Sequence, residues 1–489
     1  MTLAICFGQF GPYHHARVAA LQREAKDKET RMVPVQIAAA TSTYAWSAGA
    51  GECEGLRTLC DGMEEAASPV EVFLKARKLF REEKVEVAFL PSYSPARYFA
   101  LFAAAKSLGI RTVMMNESHA GTEQATGWKR WIKRQIVKQF DAAFVGGEPH
   151  KRHFASLGIP ADKIFTGYDA VDGEFFAQRA DEIRAAQKRS QDSGDRGQSE
   201  GGEDSVSVFQ NFGFSDFRKT YGFPQRYFLS LGRMVEKKNL ATLVSAYARY
   251  AEGVAGDGRS QMEDGSAPMA LVFVGSGELE GALRQQARAL GLRVVDRTDA
   301  GPRTKRLKDE ETKGPQSQAE NCTPNTENSV ESDRGAVYFY GFRQIEENPV
   351  FYALAEAFVL PSLKEEWGLV VNEAMAAGLP VIVSRTAGCA EDLLPGSESW
   401  QCSVGSIQFG EEKTTDDCKP FTDDSLEERS NGFVFDPRSV EALATALVCV
   451  AETGDVRLEM GKRSREVVAK FSCENFARQA LRAAEAAGA

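Results

Sequence analysis

Short β-branched and aromatic runs alternate with stretches whose apolar positions fall three and four residues apart, and the alternation occurs in two series. In the first series, residues 3–7, 32–37, 85–90, 112–115, 142–145 and 162–166 read as strands. Helical spacing fills 16–26, 70–81, 95–107 and 131–140. The second series begins at residue 227, with strands expected at 227–231, 270–274, 336–340, 357–360, 381–384 and 432–435. Such strand–helix alternation predicts parallel sheets covered by helices on both faces. The expected fold class is α/β: two doubly wound Rossmann-like domains facing across a cleft, with ligand held where the carboxyl ends of both sheets meet.

The pattern lapses over 177–225, where 187–207 is Ser, Gly, Asp, Gln and Arg with too little apolar surface for a core. It lapses again over 297–334 and 396–430, which are polar and read as long surface loops. The organisation expected is an N-terminal domain (1–175), a linker with an insertion (176–225), a C-terminal domain (226–470) and a last helix from 471 to 489. Ser472 suits the cap of that helix, with Phe476 and Leu481 on its inner face.

With 489 residues, two or three domains with large cores fit the chain. No run of 18 apolar residues exists, so no membrane span is expected. The apolar start is short, lacks a basic leader and reads as a first strand. Nine scattered cysteines, odd in number and without a CxxC pair, read as reduced thiols in a cytoplasmic protein, with neither a disulfide frame nor a zinc site. The net charge of −10 is carried entirely by the three polar stretches 181–204, 297–334 and 398–429. The rest is near neutral, which disfavours a nucleic-acid partner.

The most informative stretch runs from Pro361 to Ser384: strand end, loop, a helix starting near Gly368 or Leu369, a stop at Gly378, and another strand. Unpaired amides at such a helix start attract an anion, typically phosphate. Glu365 and Glu373 flank this place, eight positions apart with Trp367 and Gly368 between them. Phosphate needs donors and sugar hydroxyls need acceptors; one loop supplies both, which points to a nucleotide-sugar site.

This stretch, with Glu-Ala-Met-Ala following at 373–376, resembles the retaining glycosyltransferases of the GT-B type, family 4 (glycosyl transferases group 1). The resemblance covers most of the chain outside the polar stretches and is strongest over 227–395. It implies a sugar moved from a nucleoside-diphosphate donor, UDP- or GDP-linked, to a sugar or lipid-linked acceptor in glycan or polysaccharide synthesis. It implies that Glu365 contacts donor-sugar hydroxyls, that Glu373 accepts from ribose, and that the amides of Trp367, Gly368 and Leu369 meet phosphate or sugar. Arg233 and Lys238, in the Gly-Arg turn after the strand at 227–231, take the diphosphate, where fixed cations stabilise the leaving charge. Phe342 and Arg343 fall where the family's base pocket lies. His119 falls near the transferred sugar, while Gly11, Tyr13 and His14 form the acceptor- or phosphate-facing loop after strand one. Family members often carry Gly-Gly there; Gly11-Pro12-Tyr13-His14-His15 departs from that pattern. His150 and His153 read as surface residues on a helix. Retention implies front-face attack assisted by the leaving phosphate, without a protein nucleophile.

No Asp-x-Asp pair occurs, so two cations and a helix start stand where other glycosyltransferases hold a metal; the enzyme expected is metal-independent and uses no cofactor. Gly275-Ser276-Gly277, with Asp296 some twenty residues on, also suggests a dinucleotide fingerprint, but its spacing to Gly281 is one residue too long and it opens neither domain. In the glycosyltransferase pattern this turn packs near the nucleotide. A nucleotide-sugar 2-epimerase of the same fold and a non-catalytic sugar-nucleotide binding protein are the alternatives. Free nucleotide with a glycosylated product, an epimer, or donor binding without turnover distinguishes the three. Lipid-linked acceptors would bring peripheral membrane contact, although no basic amphipathic stretch stands out in the sequence.

Overall fold

The computed structural model describes residues 1–42, 53–192, 216–256, 268–301, 335–395 and 430–488. The N-terminal sheet comprises β1 (Thr2–Phe7), β2 (Arg31–Gln36), β3 (Arg57–Thr58), β4 (Val87–Leu90), β5 (Arg111–Asn116), β6 (Ala142–Val145) and β7 (Ile164–Thr166). The C-terminal sheet comprises β8 (Tyr227–Leu231), β9 (Ala270–Val274), β10 (Arg293–Asp296), β11 (Ala336–Phe339), β12 (Ala357–Leu360), β13 (Val381–Ser384) and β14 (Gly432–Phe435). All pairings are parallel, in the orders β3-β2-β1-β4-β5-β6-β7 and β10-β11-β9-β8-β12-β13-β14. The expected pair of doubly wound sheets is therefore present.

The strands read as unbroken apolar runs because helices cover both faces. Leu3, Ile5 and Phe7 enter one buried layer and Ala4 and Cys6 the other, as the two-residue period of a strand requires. Tyr227 and Leu229 divide from Phe228 in the same way in the second sheet. The last helix, Cys473–Gly488, packs on Pro12–Asp27 of the N-terminal half. Its start is capped by Ser472, whose Oγ accepts from Asn475 N at 3.2 Å, and Phe476 is buried 5.0 Å from the Phe144 ring.

Several expectations are corrected. The stretch read as linker from 176 opens as a helix, Gly173–Asp192, whose Phe176, Ala180 and Ile183 pack against the C-terminal half. Gln187, read as part of a polar insertion, is buried and donates to Asp216 Oδ1 at 3.2 Å. The remainder of that insertion, and the stretches at 297–334 and 396–430 apart from their ends, lie outside the described residues. Strands β3 and β10 were not expected, since one has two exposed residues and the other two half-buried valines between exposed ends. The helix expected over 131–140 instead spans Gly127–Val137. Its inward residues are Lys133 and Val137, with Ile136 packed beside them, while Trp128, Trp131 and Ile132 are exposed.

Candidate functional site

In the C-terminal sheet β8 lies between β9 and β12, so the chain leaves β8 on one side and returns to its other edge later. Loops diverge at such a switch point and leave a crevice at the carboxyl ends of the strands. The loops after β8 and β12 meet there: Leu363 N donates to Lys237 O at 2.9 Å, and Asn239 Nδ2 donates to Pro361 O at 3.1 Å. This brings Lys238 Nζ to 2.5 Å from Glu365 Oε2, which also accepts from Ser362 Oγ at 2.9 Å. Glu365 is buried. Arg233 is exposed, lines one small pocket with Lys238 and Pro361, and has no ion-pair partner among the described residues. Lys237, beside it, pairs with Glu366 at 2.8 Å.

Gly275 and Gly277 shape this loop by close approach. A Cβ on Gly275 would lie 2.0 Å from Gly232 O, and one on Gly277 2.5 Å from Met234 O. Met234 N donates to Ser276 O at 2.9 Å. Asp296 is occupied by Arg284 at 3.1 Å and by Thr298, which leaves the glycine turn the packing role considered for it.

The helix Leu369–Ala376 starts at Gly368, with φ 113°, ψ 60° and no side-chain cap, leaving its amide end without a side-chain partner. A Cβ at Gly368 would meet Leu360 Cδ2 at 2.9 Å in a left-handed conformation, so both space and backbone require glycine. The Trp367 indole points inward and donates to Asn372 Oδ1 at 2.9 Å.

Glu373 is fully buried. The Tyr13 hydroxyl, from the N-terminal half, donates to its Oε1, and the Tyr352 hydroxyl donates to its Oε2 at 2.9 Å. Burial pushes its pKa up to about 7 against the hydrogen bonds from Tyr13, Tyr352 and Asn348, which favour the charged form. Tyr13 thus crosses between the halves, while His14 does not. His14 Nδ1 accepts from Gly11 N at 3.0 Å and its ring lies 4.2 Å from Phe7. Burial, with Arg17 and His15 adding repulsion, lowers its pKa to about 3.

Two imidazoles of the N-terminal half hold the carbonyls of successive loop residues in the C-terminal half. His119 Nδ1 accepts from Gly121 N at 3.2 Å, so Nε2 carries the proton and donates to Glu365 O at 3.0 Å. His150 Nδ1 accepts from Gly147 N at 3.2 Å, and Nε2 donates to Glu366 O at 2.9 Å. The rings lie edge to face at 5.3 Å. His150 is fully buried and His153 nearly so, which corrects the surface reading of both. Burial lowers the His150 pKa to about 4, so the neutral donor form persists near neutral pH. Behind them, Asp169 is buried with Arg17 at 3.9 Å and Glu117 beside it. Burial first, and the Glu117 charge second, hold Asp169 well above the usual carboxylate range.

Phe342 is half exposed, whereas Arg343 NH2 donates to the carbonyls of Thr298 at 3.1 Å and Ala300 at 2.8 Å and so braces that turn. Sequence reasoning missed His150, Tyr352 and Asp169. His150 had a signal: Gly147-Glu-Pro-His150 repeats the Gly11-Pro-Tyr-His14 spacing, and in both the histidine caps the glycine amide. Asp169 and Tyr352 had none, because only the folded chain brings them to this junction.

Together these features define a GT-B architecture with the Glu365–Gly368 loop and its uncapped helix start at the switch point of the second sheet. The profile described as "Glycosyl transferases group 1" matches residues 313–408. The sulfoquinovosyl transferase SQD2 of Arabidopsis thaliana is 32% identical over 133 residues, which is 27% of this chain and 20% of that protein. The D-inositol 3-phosphate glycosyltransferase of Corynebacterium urealyticum is 27% identical over 144 residues, 29% of this chain and 26% of that one. The matched stretch therefore spans about a fifth to a quarter of these curated relatives. Among solved structures, Anabaena HepE in complex with UDP superposes with a TM-score of 0.57 at 13% identity, over 99% of both chains. Sucrose-phosphate synthase from Thermosynechococcus elongatus gives 0.57 at 15% identity, over 99% of this chain and 98% of that one. The chain carries the group 1 glycosyl transferase sequence pattern on a GT-B fold, as the residues from Glu365 to Ala376 led us to expect.

Proposed function

We propose that the protein is a retaining glycosyltransferase that takes a UDP- or GDP-linked sugar and passes it to a sugar or lipid-linked acceptor in glycan synthesis. The observation that carries this reading is the meeting of Lys238, Arg233 and Glu365 with the uncapped helix start at Gly368, where the two halves join. Arg233 and Lys238 take the diphosphate and stabilise charge on the leaving oxygen, more in the transition state than before it. Donor binding releases Lys238 from Glu365, and the freed carboxylate accepts from the sugar hydroxyls. The ribose exchanges with the Tyr13 hydroxyl at Glu373. His119 and His150 fix the loop through its carbonyls and act as positioning residues. Solved relatives of this fold include one in complex with UDP-glucose, which supports a uridine donor.

The test is an incubation of the full chain with UDP- and GDP-sugars and an acceptor panel, in EDTA, with the products read by NMR. Free nucleoside diphosphate and a glycoside that keeps the donor's anomeric configuration are expected. An inverted glycoside, an epimerised donor, or turnover abolished by EDTA would contradict the proposal in its mechanism, its reaction or its metal independence, respectively.

A further inference from the structure

The helix Gly127–Val137 has its outward face covered with apolar groups. Trp128 is 70% exposed, Trp131 64% and Ile132 42%. At 100° per residue, Trp131, Trp128 and Ile132 form one stripe, almost opposite the inward Lys133 and Val137. Lys133 alone of the helix's cations is buried, paired with Glu123 at 2.6 Å. Arg134 and Lys138 flank the stripe on one side and Lys129 on the other, all three exposed, while Arg130 lies toward the inward face near His153. No acidic residue occurs from Gln124 to Phe140, in a chain of net charge −10.

Exposed indoles beside cations suit the boundary between water and acyl chains, where the ring is half buried and the cations meet lipid phosphate. We infer that this helix docks the protein in the plane of an anionic bilayer surface. A second copy of the chain fits the face less well, since a two-fold contact would press two sets of three cations together with no acid in the segment to offset them. The inference stands on the helix itself and does not need the reaction proposed above. If both hold, the acceptor is lipid-borne, because the chain runs from His119 at the Glu365 loop through Ala120–Thr122 into this helix.

The experiment is flotation of the full chain with vesicles of phosphatidylcholine alone or with equal parts phosphatidylglycerol. Binding to the mixed vesicles, weakened by salt, is expected, with a blue shift of tryptophan fluorescence that the Trp128→Ala/Trp131→Ala variant loses. Neutralising two flanking cations in Lys129→Gln/Arg134→Gln should weaken partitioning roughly 30-fold. All four side chains are exposed, and unchanged melting temperatures would verify folding. Absence of binding to the anionic vesicles, or binding indifferent to both variants, would overturn the inference. So would a dimer by light scattering that the tryptophan variant dissolves, since that would make the face a self-contact.

Discussion

Glu373→Gln turns a buried charge into a readable signal. The folded chain holds this carboxyl near pKa 7 against 4.5 when unfolded, because burial penalises its ionised form more than Tyr13, Tyr352 and Asn348 compensate. A raised pKa contributes stability that is present below the unfolded value and lost as pH rises through the folded one. Linkage over that interval gives a loss of about 2.5 kcal/mol between pH 5 and pH 8 from this one group. Glutamine keeps the shape and does not ionise. The variant should therefore gain on the wild type by about that amount as pH rises from 5 to 8, whatever its offset at pH 5. Urea unfolding at both pH values, followed by the fluorescence of the C-terminal half, reads the difference. Parallel pH dependences for the two proteins would refute the reasoning, since they would mean that Glu373 ionises as it does in water.

His150→Leu removes the donor to Glu366 O and should lower kcat more than it raises donor KM. His150→Gln, which can still present an N–H there, should recover most of the loss, and equal defects in both would reduce His150 to packing. Phe476→Ala should cost roughly 3–5 kcal/mol of stability, because the ring is fully buried between Phe144 and Tyr168. Chemical denaturation of the variant checks the figure, and a loss under about 1 kcal/mol would show that the last helix is only loosely docked.

Strands buried on both faces leave an apolar run that composition cannot disguise, so β8, β9, β12, β13 and β14 were legible in their full extent. The loop after β12 was equally legible, since Glu365, Gly368 and Gly378 punctuate one strand–loop–helix unit. What the sequence concealed depends on contacts between the halves. His119 and His150 reach carbonyls more than two hundred residues away, and a carbonyl has no residue type to recognise. Nothing near Glu373 in the sequence marked it as buried, because its Tyr13 lid lies at the far end of the chain. The Trp128–Ile132 stripe was hidden for another reason: apolar residues at helical spacing imply an inward face, and here they point outward.

Calorimetric titration of the wild type, Arg233→Ala and Lys238→Ala with UDP and GDP, paired with turnover on the accepted donor, bears most directly on the diphosphate site. One nucleotide should bind the wild type and each variant more weakly, with turnover reduced about 10²–10³-fold by the loss of transition-state charge contacts. Unchanged binding and unchanged kcat in both variants would place the diphosphate elsewhere and contradict the proposed site.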